Sequence, residues 1–275
     1  MSEHIAEPVT NPRPRRPKKP AWLSRMPDPE AEARLFCFPY SGCSASMYSR
    51  WPRRIGPIEV CLVQPPARQN RIREPHYRTY EALAASFIEE LLPYFDRPFG
   101  FFGHCGGALP GVEVARQLAA AGLPTPRRVF VSSQVAPHDG PYGRLLGLDS
   151  EGLGEELRKM IVSLGGVPTP ELVEMGLDLL IQDIDANKRY VVEERFTLPV
   201  GITAIGWDDD PEIPMDLMGG WKETSEDCRY TLLEGGHFEF LGAPAALLAE
   251  FERDLTASAS ATASESESAS ESASH

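Results

Sequence analysis

Residues 98–121 read PFGFFGHCGGALPGVEVARQLAAA. The stretch divides into three parts. Pro98–Gly103 is a compact apolar run of strand character. Gly103-His104-Cys105-Gly106-Gly107 has the spacing G-x-C-x-G. Ala108–Ala121 carries helix-forming residues and is stopped by Gly122 and Pro124. A glycine-flanked nucleophile between a strand and a helix is the pattern of a nucleophile elbow, with Cys in the place of the usual Ser. Such a turn forces its central residue into a strained conformation, and side chains at the flanks would meet neighbouring elements. The Cys105 sulfur would then stand at the start of a helix, whose dipole favours negative charge. The backbone N–H of Gly106 would be free to face a developing oxyanion.

Outward from this stretch, strands and helices alternate. Arg34–Pro39, Ile58–Gln64, Arg127–Ser133, Val200–Gly206 and Arg229–Leu233 are short, apolar and β-rich, while Tyr80–Phe95 and Pro244–Leu255 have helical spacing. Short apolar strands separated by helices predict an α/β fold with a mostly parallel central sheet flanked by helices. From about 138 to 195 no strand is evident. Glu155–Leu164 and Pro170–Ile184 have apolar residues at helical spacing, so this stretch is expected to be a helical lid inserted between two strands.

Two further features fit a nucleophile–acid–base order along the chain. Asp208, Asp209 and Asp210 follow the strand that ends at Gly206, and His237 follows the next strand in the loop Gly235-Gly236-His237-Phe238. Loops after strand C-termini are where this architecture gathers a site. Spacing alone leaves the three aspartates open.

Composition excludes several alternatives. A formal charge of -13 is unsuited to nucleic acid or an anionic membrane. No apolar run reaches the length of a membrane span, and no apolar signal segment opens the chain. The cysteines (Cys37, Cys43, Cys61, Cys105, Cys228) are odd in number and lack CxxC spacing, so free thiols in the cytoplasm are expected, with no metal or organic cofactor. A Cys43–Cys105 disulfide is a lesser alternative. Residues 1–33, Pro-rich with a basic patch at Arg13, Arg15, Arg16, Lys18 and Lys19, are expected to form a disordered arm, and 256–275, built of Thr, Ala, Ser, Glu and a terminal His, a disordered tail. The folded domain is expected at 34–255.

The blocks LFCFPYSGCSASMYSRW (35–51), VCLVQPPARQNRIRE (60–74), RPFGFFGHCGGALPGVEVARQL (97–118), AIGWDDDP (204–211) and GGHFEFL (235–241) together resemble the type II thioesterases of nonribosomal peptide and polyketide assembly lines. The resemblance implies an α/β-hydrolase fold with a helical lid and no cofactor. Its substrates would be small acyl or aminoacyl groups on a phosphopantetheinylated acyl or peptidyl carrier protein. It matches Cys105 to the nucleophile, His237 to the base and Asp210 to the orienting acid, with Asp208 and Asp209 as alternatives. Backbone N–H groups of Gly106 and of Tyr40 or Ser41 would form the oxyanion site. Asp183 matches a lid carboxylate of structural role. Three departures stand out: Cys replaces Ser as nucleophile, Gly106 replaces a bulkier residue, often Met, and Cys43 replaces a glycine. A cysteine acyl-enzyme is itself a thioester, so the group can pass to water or to another carrier thiol. Two reactions are thus expected: hydrolysis by a stand-alone thioesterase, or Cys-dependent acyl or aminoacyl transfer between two carriers. A non-catalytic binding module is disfavoured by the intact Cys, His and Asp.

Overall fold

The computed structural model describes residues 18–256. The basic residues Arg13, Arg15 and Arg16 and the tail after Thr256 lie outside the described residues. Seven strands form one sheet in the order β2-β3-β1-β4-β5-β6-β7. They are β1 (Ala33–Cys37), β2 (Arg54–Ile55), β3 (Ile58–Leu62), β4 (Phe99–His104), β5 (Arg128–Ser132), β6 (Gly201–Asp209) and β7 (Cys228–Gly236). All neighbours pair in parallel except β2 with β3. This is the mostly parallel α/β-hydrolase-type sheet expected. The two-residue β2 escaped the sequence reading because it is too short to show a period.

Helices cover both faces. α1 (Tyr80–Leu91) starts at Thr79, whose hydroxyl accepts the N–H of Ala82, a cap worth about 1 kcal/mol. It ends four residues before the expected Phe95, because Pro93 sits in the tighter turn Leu92–Tyr94. α2 is Ala108–Ala120 and α6 is Ala245–Thr256. Buried aromatics fill one side of the sheet: Phe36, Phe87, Phe95, Phe99 and Phe101 pack edge-to-face and tilted around one another. This accounts for the F-x-F pattern of β1 and β4, in which alternate residues share a face.

Between β5 and β6 run α3 (Ser150–Ser163) and α4 (Pro170–Arg189). α4 continues five residues past the expected Ile184, and those extra residues include Ala186 and Asn187, both buried. A short helix, α5 (Trp221–Thr224), precedes β7.

The arm expected to be disordered through residue 33 is packed onto the domain in its described part. Trp22 is 2% exposed and Leu23 1%. The Trp22 indole meets Phe87 edge-on at 5.5 Å, donates its N–H to Ser86 at 3.3 Å and carries the Arg71 guanidinium over its face at 4.8 Å. Leu23 bridges Val63 beyond the end of β3. Composition over the whole arm hid this anchor, since one buried Trp outweighs many polar neighbours.

Candidate active site

The site lies at the C-terminal ends of β1, β4, β6 and β7. β4 delivers Cys105 through a tight turn. Its φ is +51°, in the left-handed region that costs a non-glycine residue about 1–3 kcal/mol. The flanking glycines are required by close backbone approach. A Cβ on Gly103 would lie 2.1 Å from the Gly107 carbonyl oxygen, and one on Gly107 would lie 2.5 Å from that of Pro39. The elbow is thus wedged between its own helix and the loop after β1.

β6 and β7 deliver the acid and the base together. Their register pairs Asp209 with Gly236, after an irregularity between Trp207 and Asp209. The next residue on each strand is Asp210 and His237, and Nδ1 of His237 lies 2.9 Å from Oδ2 of Asp210. Asp208 and Asp209 are exposed, and Asp208 instead accepts the N–H of Gly235 at 2.8 Å, tying down the His237 loop. The register therefore selects Asp210 from the three aspartates.

Asp210 is held on every side. Its Oδ2 also accepts from the Ser133 hydroxyl at 2.6 Å, and Oδ1 accepts the N–H groups of Glu212 and Ile213 at 2.8 and 3.3 Å. Burial opposes its charge, but these donors and the His237 ring hold the carboxyl well below its ordinary range. For His237, burial likewise disfavours the charged ring. The bond to Asp210 and the nearby Cys105 sulfur outweigh that and push it up to about 10. Nε2 of His237 is buried without a hydrogen-bond partner. It is the nitrogen left to serve Cys105.

His104 backs the site. It stacks on Phe240 at 4.1 Å, meets the His237 ring at 4.5 Å and shares a 2.9 Å hydrogen bond with the Ser132 hydroxyl. Burial, and then repulsion from His237, hold it well below the ordinary range of a histidine, so it packs as a neutral ring.

The loop after β1 reaches the same place. The Tyr40 N–H is engaged by the Met47 sulfur at 3.1 Å, a weak acceptor, whereas the Ser41 N–H has no partner among the described residues. Gly42 donates to Asp183 Oδ2 at 2.7 Å. Asp183 is 2% exposed and also accepts from Arg68, His76 and Tyr77 at 2.7–3.0 Å. Cys43 touches Met160 of α3 at 3.2 Å between sulfurs. Cys43 and Cys105 are both free thiols, so no disulfide joins them.

The room vacated by a glycine at 106 is filled by polar groups. A Cβ there would lie 2.8 Å from Ser41 Oγ and 2.9 Å from Asn187 Nδ2. Sequence reasoning missed Ser133, Asn187 and Glu212, which lie on three different segments. Only Glu212, two residues beyond Asp210, was in a stretch already under scrutiny.

Comparison with known proteins follows this geometry. The thioesterase domain model matches residues 33–255. The chain belongs to the thioesterase domain family. It is thus a hydrolase acting on thioesters. This thioesterase is 35% identical over 244 residues to linear gramicidin dehydrogenase LgrE of Brevibacillus parabrevis, covering 85% of this chain and 91% of LgrE. RedJ, a thioesterase from the prodiginine biosynthetic pathway in Streptomyces coelicolor, superposes with a TM-score of 0.70 at 32% identity, covering 92% of this chain and 97% of RedJ. BorB, the type II thioesterase from the borrelidin biosynthetic cluster, superposes with a TM-score of 0.71 at 29% identity, covering 85% and 95%. No helix among the described residues of the thioesterase is long and apolar enough to cross a membrane.

Proposed function

We propose that Cys105, His237 and Asp210 act as nucleophile, base and orienting acid on acyl or aminoacyl thioesters carried by the phosphopantetheine arm of a carrier protein. The observation that carries this reading is the buried 2.9 Å His237–Asp210 bond beside a cysteine held at positive φ. The relatives RedJ and BorB support an assembly-line setting, and the catalytic unit is read as residues 34–255 with 138–195 as its lid. With its cysteines free, the enzyme is read as working in the reducing cytoplasm.

In the first step His237 Nε2 takes the thiol proton. The sulfur attacks the thioester carbonyl, and the N–H groups of Gly106 and Ser41 receive the oxyanion. Collapse expels the pantetheine sulfur, which takes the proton from His237. The product is an acyl-enzyme thioester on Cys105. Water, deprotonated by His237, then releases the free acid.

A second reading is transfer to another carrier thiol, and one observation favours it. The nucleophile is a sulfur, so the acyl-enzyme keeps the transfer potential of the incoming thioester. The cavity above it, of about 10 Å³, has room for roughly one water, which limits hydrolysis. The test loads a carrier with a radiolabelled acyl group and follows the label with and without a second, empty carrier. Release as free acid, unaffected by the second carrier, identifies an editing thioesterase. Label that passes through Cys105 to the second carrier identifies a transferase. A Cys105→Ala enzyme that still acquires or releases label would sink the triad.

The name of LgrE raises a third activity. A dinucleotide-dependent dehydrogenase needs a glycine-rich G-x-G-x-x-G turn after a strand, and the turn after β4 is Gly103-His104-Cys105-Gly106-Gly107-Ala108 instead. That activity is not proposed for this chain.

A further inference from the structure

The cavity above Cys105 is lined by Glu212 and Asn187, two side chains that the triad does not use. Glu212 follows the triad acid by two residues. Its Oε1 accepts from Arg144 at 3.0 Å, while Oε2 has no hydrogen-bond partner among the described residues and lies 3.7 Å from Nε2 of His237. Arg144 is shared, because Glu156 takes the same nitrogen at 2.7 Å. Two carboxylates therefore face one guanidinium, and the cluster keeps a net negative charge at the cavity wall. Asn187 comes from α4 on the opposite side. It is 4% exposed, and its Oδ1 is buried with no partner. Its Nδ2 lies beside Gly106, so in either orientation of the amide an oxygen remains in this wall.

A carboxylate oxygen and a buried amide oxygen, both unpaired and both beside the reactive sulfur, complement a small cation with several N–H donors. The cation must also lie close to the carbonyl that Cys105 attacks. An α-amino group is two bonds from that carbon. We propose that Glu212 and Asn187 form a recognition site for the free α-ammonium group of an aminoacyl thioester. This rests on Cys105 being the nucleophile, as argued above, and narrows the substrate class from acyl groups in general. An N-acylated or plain acyl chain leaves Glu212 and Asn187 without their partner and meets the same tight wall.

The test uses the full chain and a carrier protein loaded with alanyl, lactyl or N-acetylalanyl groups, read as thiol release. Lactyl keeps the size of alanyl and much of its inductive pull without the charge. The wild-type enzyme is expected to favour alanyl over lactyl in kcat/KM by about tenfold or more, the range of a hydrogen bond to a charged group. Glu212→Gln, which keeps the shape, should shrink that ratio to about threefold or less, and Asn187→Leu should shrink it independently. A wild-type enzyme that treats alanyl and lactyl alike overturns the proposal. So does a Glu212→Gln enzyme that loses both in equal proportion, since Glu212 would then be acting through His237 alone. Failure of the wild-type enzyme on all three substrates, with no label reaching Cys105, would instead refute the thioester chemistry itself.

Discussion

The backbone N–H of Gly42 donates to the Asp183 carboxylate at 2.7 Å. Gly42 belongs to the loop that carries the free Ser41 N–H, and Asp183 belongs to α4 of the inserted helices. The oxyanion loop and the helical roof are therefore joined through one buried carboxylate. Asp183 also neutralises Arg68, whose side chain is 3% exposed. Burial opposes the charge of Asp183, yet Arg68 and His76 hold it well below the ordinary carboxylate range.

Asp183→Ala leaves the Arg68 guanidinium buried and unpaired, a loss of about 3–5 kcal/mol. For a domain of this size that corresponds to a fall in Tm of roughly 6–20 °C. Thermal denaturation followed by circular dichroism checks it. A fall below roughly 2 °C would mean that water reaches Arg68 and the carboxylate is not holding the roof.

The two elbow glycines should respond differently. At Gly103 a methyl group meets backbone, so Gly103→Ala is expected to destabilise by about 4 kcal/mol or more and to yield little soluble protein. At Gly106 the methyl meets the ends of Ser41 and Asn187, which can turn aside. Gly106→Ala should fold, with a Tm within roughly 3 °C of wild type, but should slow acylation of Cys105 because those side chains are pushed into the substrate cavity. Equal effects of the two substitutions would contradict the packing described.

The Asp210–His237 pair makes stability depend on pH with a definite sign. The His237 pKa is raised from 6.5 to about 10, so its contribution is complete below 6.5 and is lost as pH rises toward 10. Asp210 is lowered from 3.8, so its contribution is present above 3.8 and is lost only as pH falls below that value. The stability difference between wild type and Asp210→Asn should then be largest between pH 4 and 6.5 and should shrink steadily up to pH 10. Urea denaturation across that range measures it. A constant difference would show that the pair is not ionic. The same variant should slow acylation by about 10²-fold or more, since the imidazole loses its orienting partner.

Cys105→Ser replaces a thioester intermediate by an oxygen ester. If the serine enzyme loads, its product should shift toward free acid, because return of the acyl group to a carrier thiol becomes uphill. Label partition between free acid and a second carrier reads this directly. Undiminished carrier-to-carrier transfer by the serine enzyme would remove the thioester-exchange argument.

Removing the arm before Ser24 deletes Trp22 with its contacts to Phe87, Ser86 and Arg71. Trp22→Ala is expected to cost about 3 kcal/mol or more, and proteolysis should then cut the chain N-terminal to β1 faster than in wild type.

The sequence by itself determined the layered α/β fold and the order of nucleophile, acid and base. These are local properties. Residues 98–121 show a change from strand to helix around a G-x-C-x-G turn, and each candidate follows a β-rich run, so short-range sterics and periodicity suffice to read them. Tertiary structure alone decided which aspartate faces His237, because that depends on the pairing of Asp209 with Gly236 after an irregularity in β6, and a one-residue slip would turn a neighbour inward. It also decided that Trp22 is buried, that α4 runs on far enough to bring Asn187 over Gly106, and that Glu212 stands free on one side of a shared arginine. Each of these joins segments far apart in the chain, and contact free energy across such distances leaves no local pattern to read.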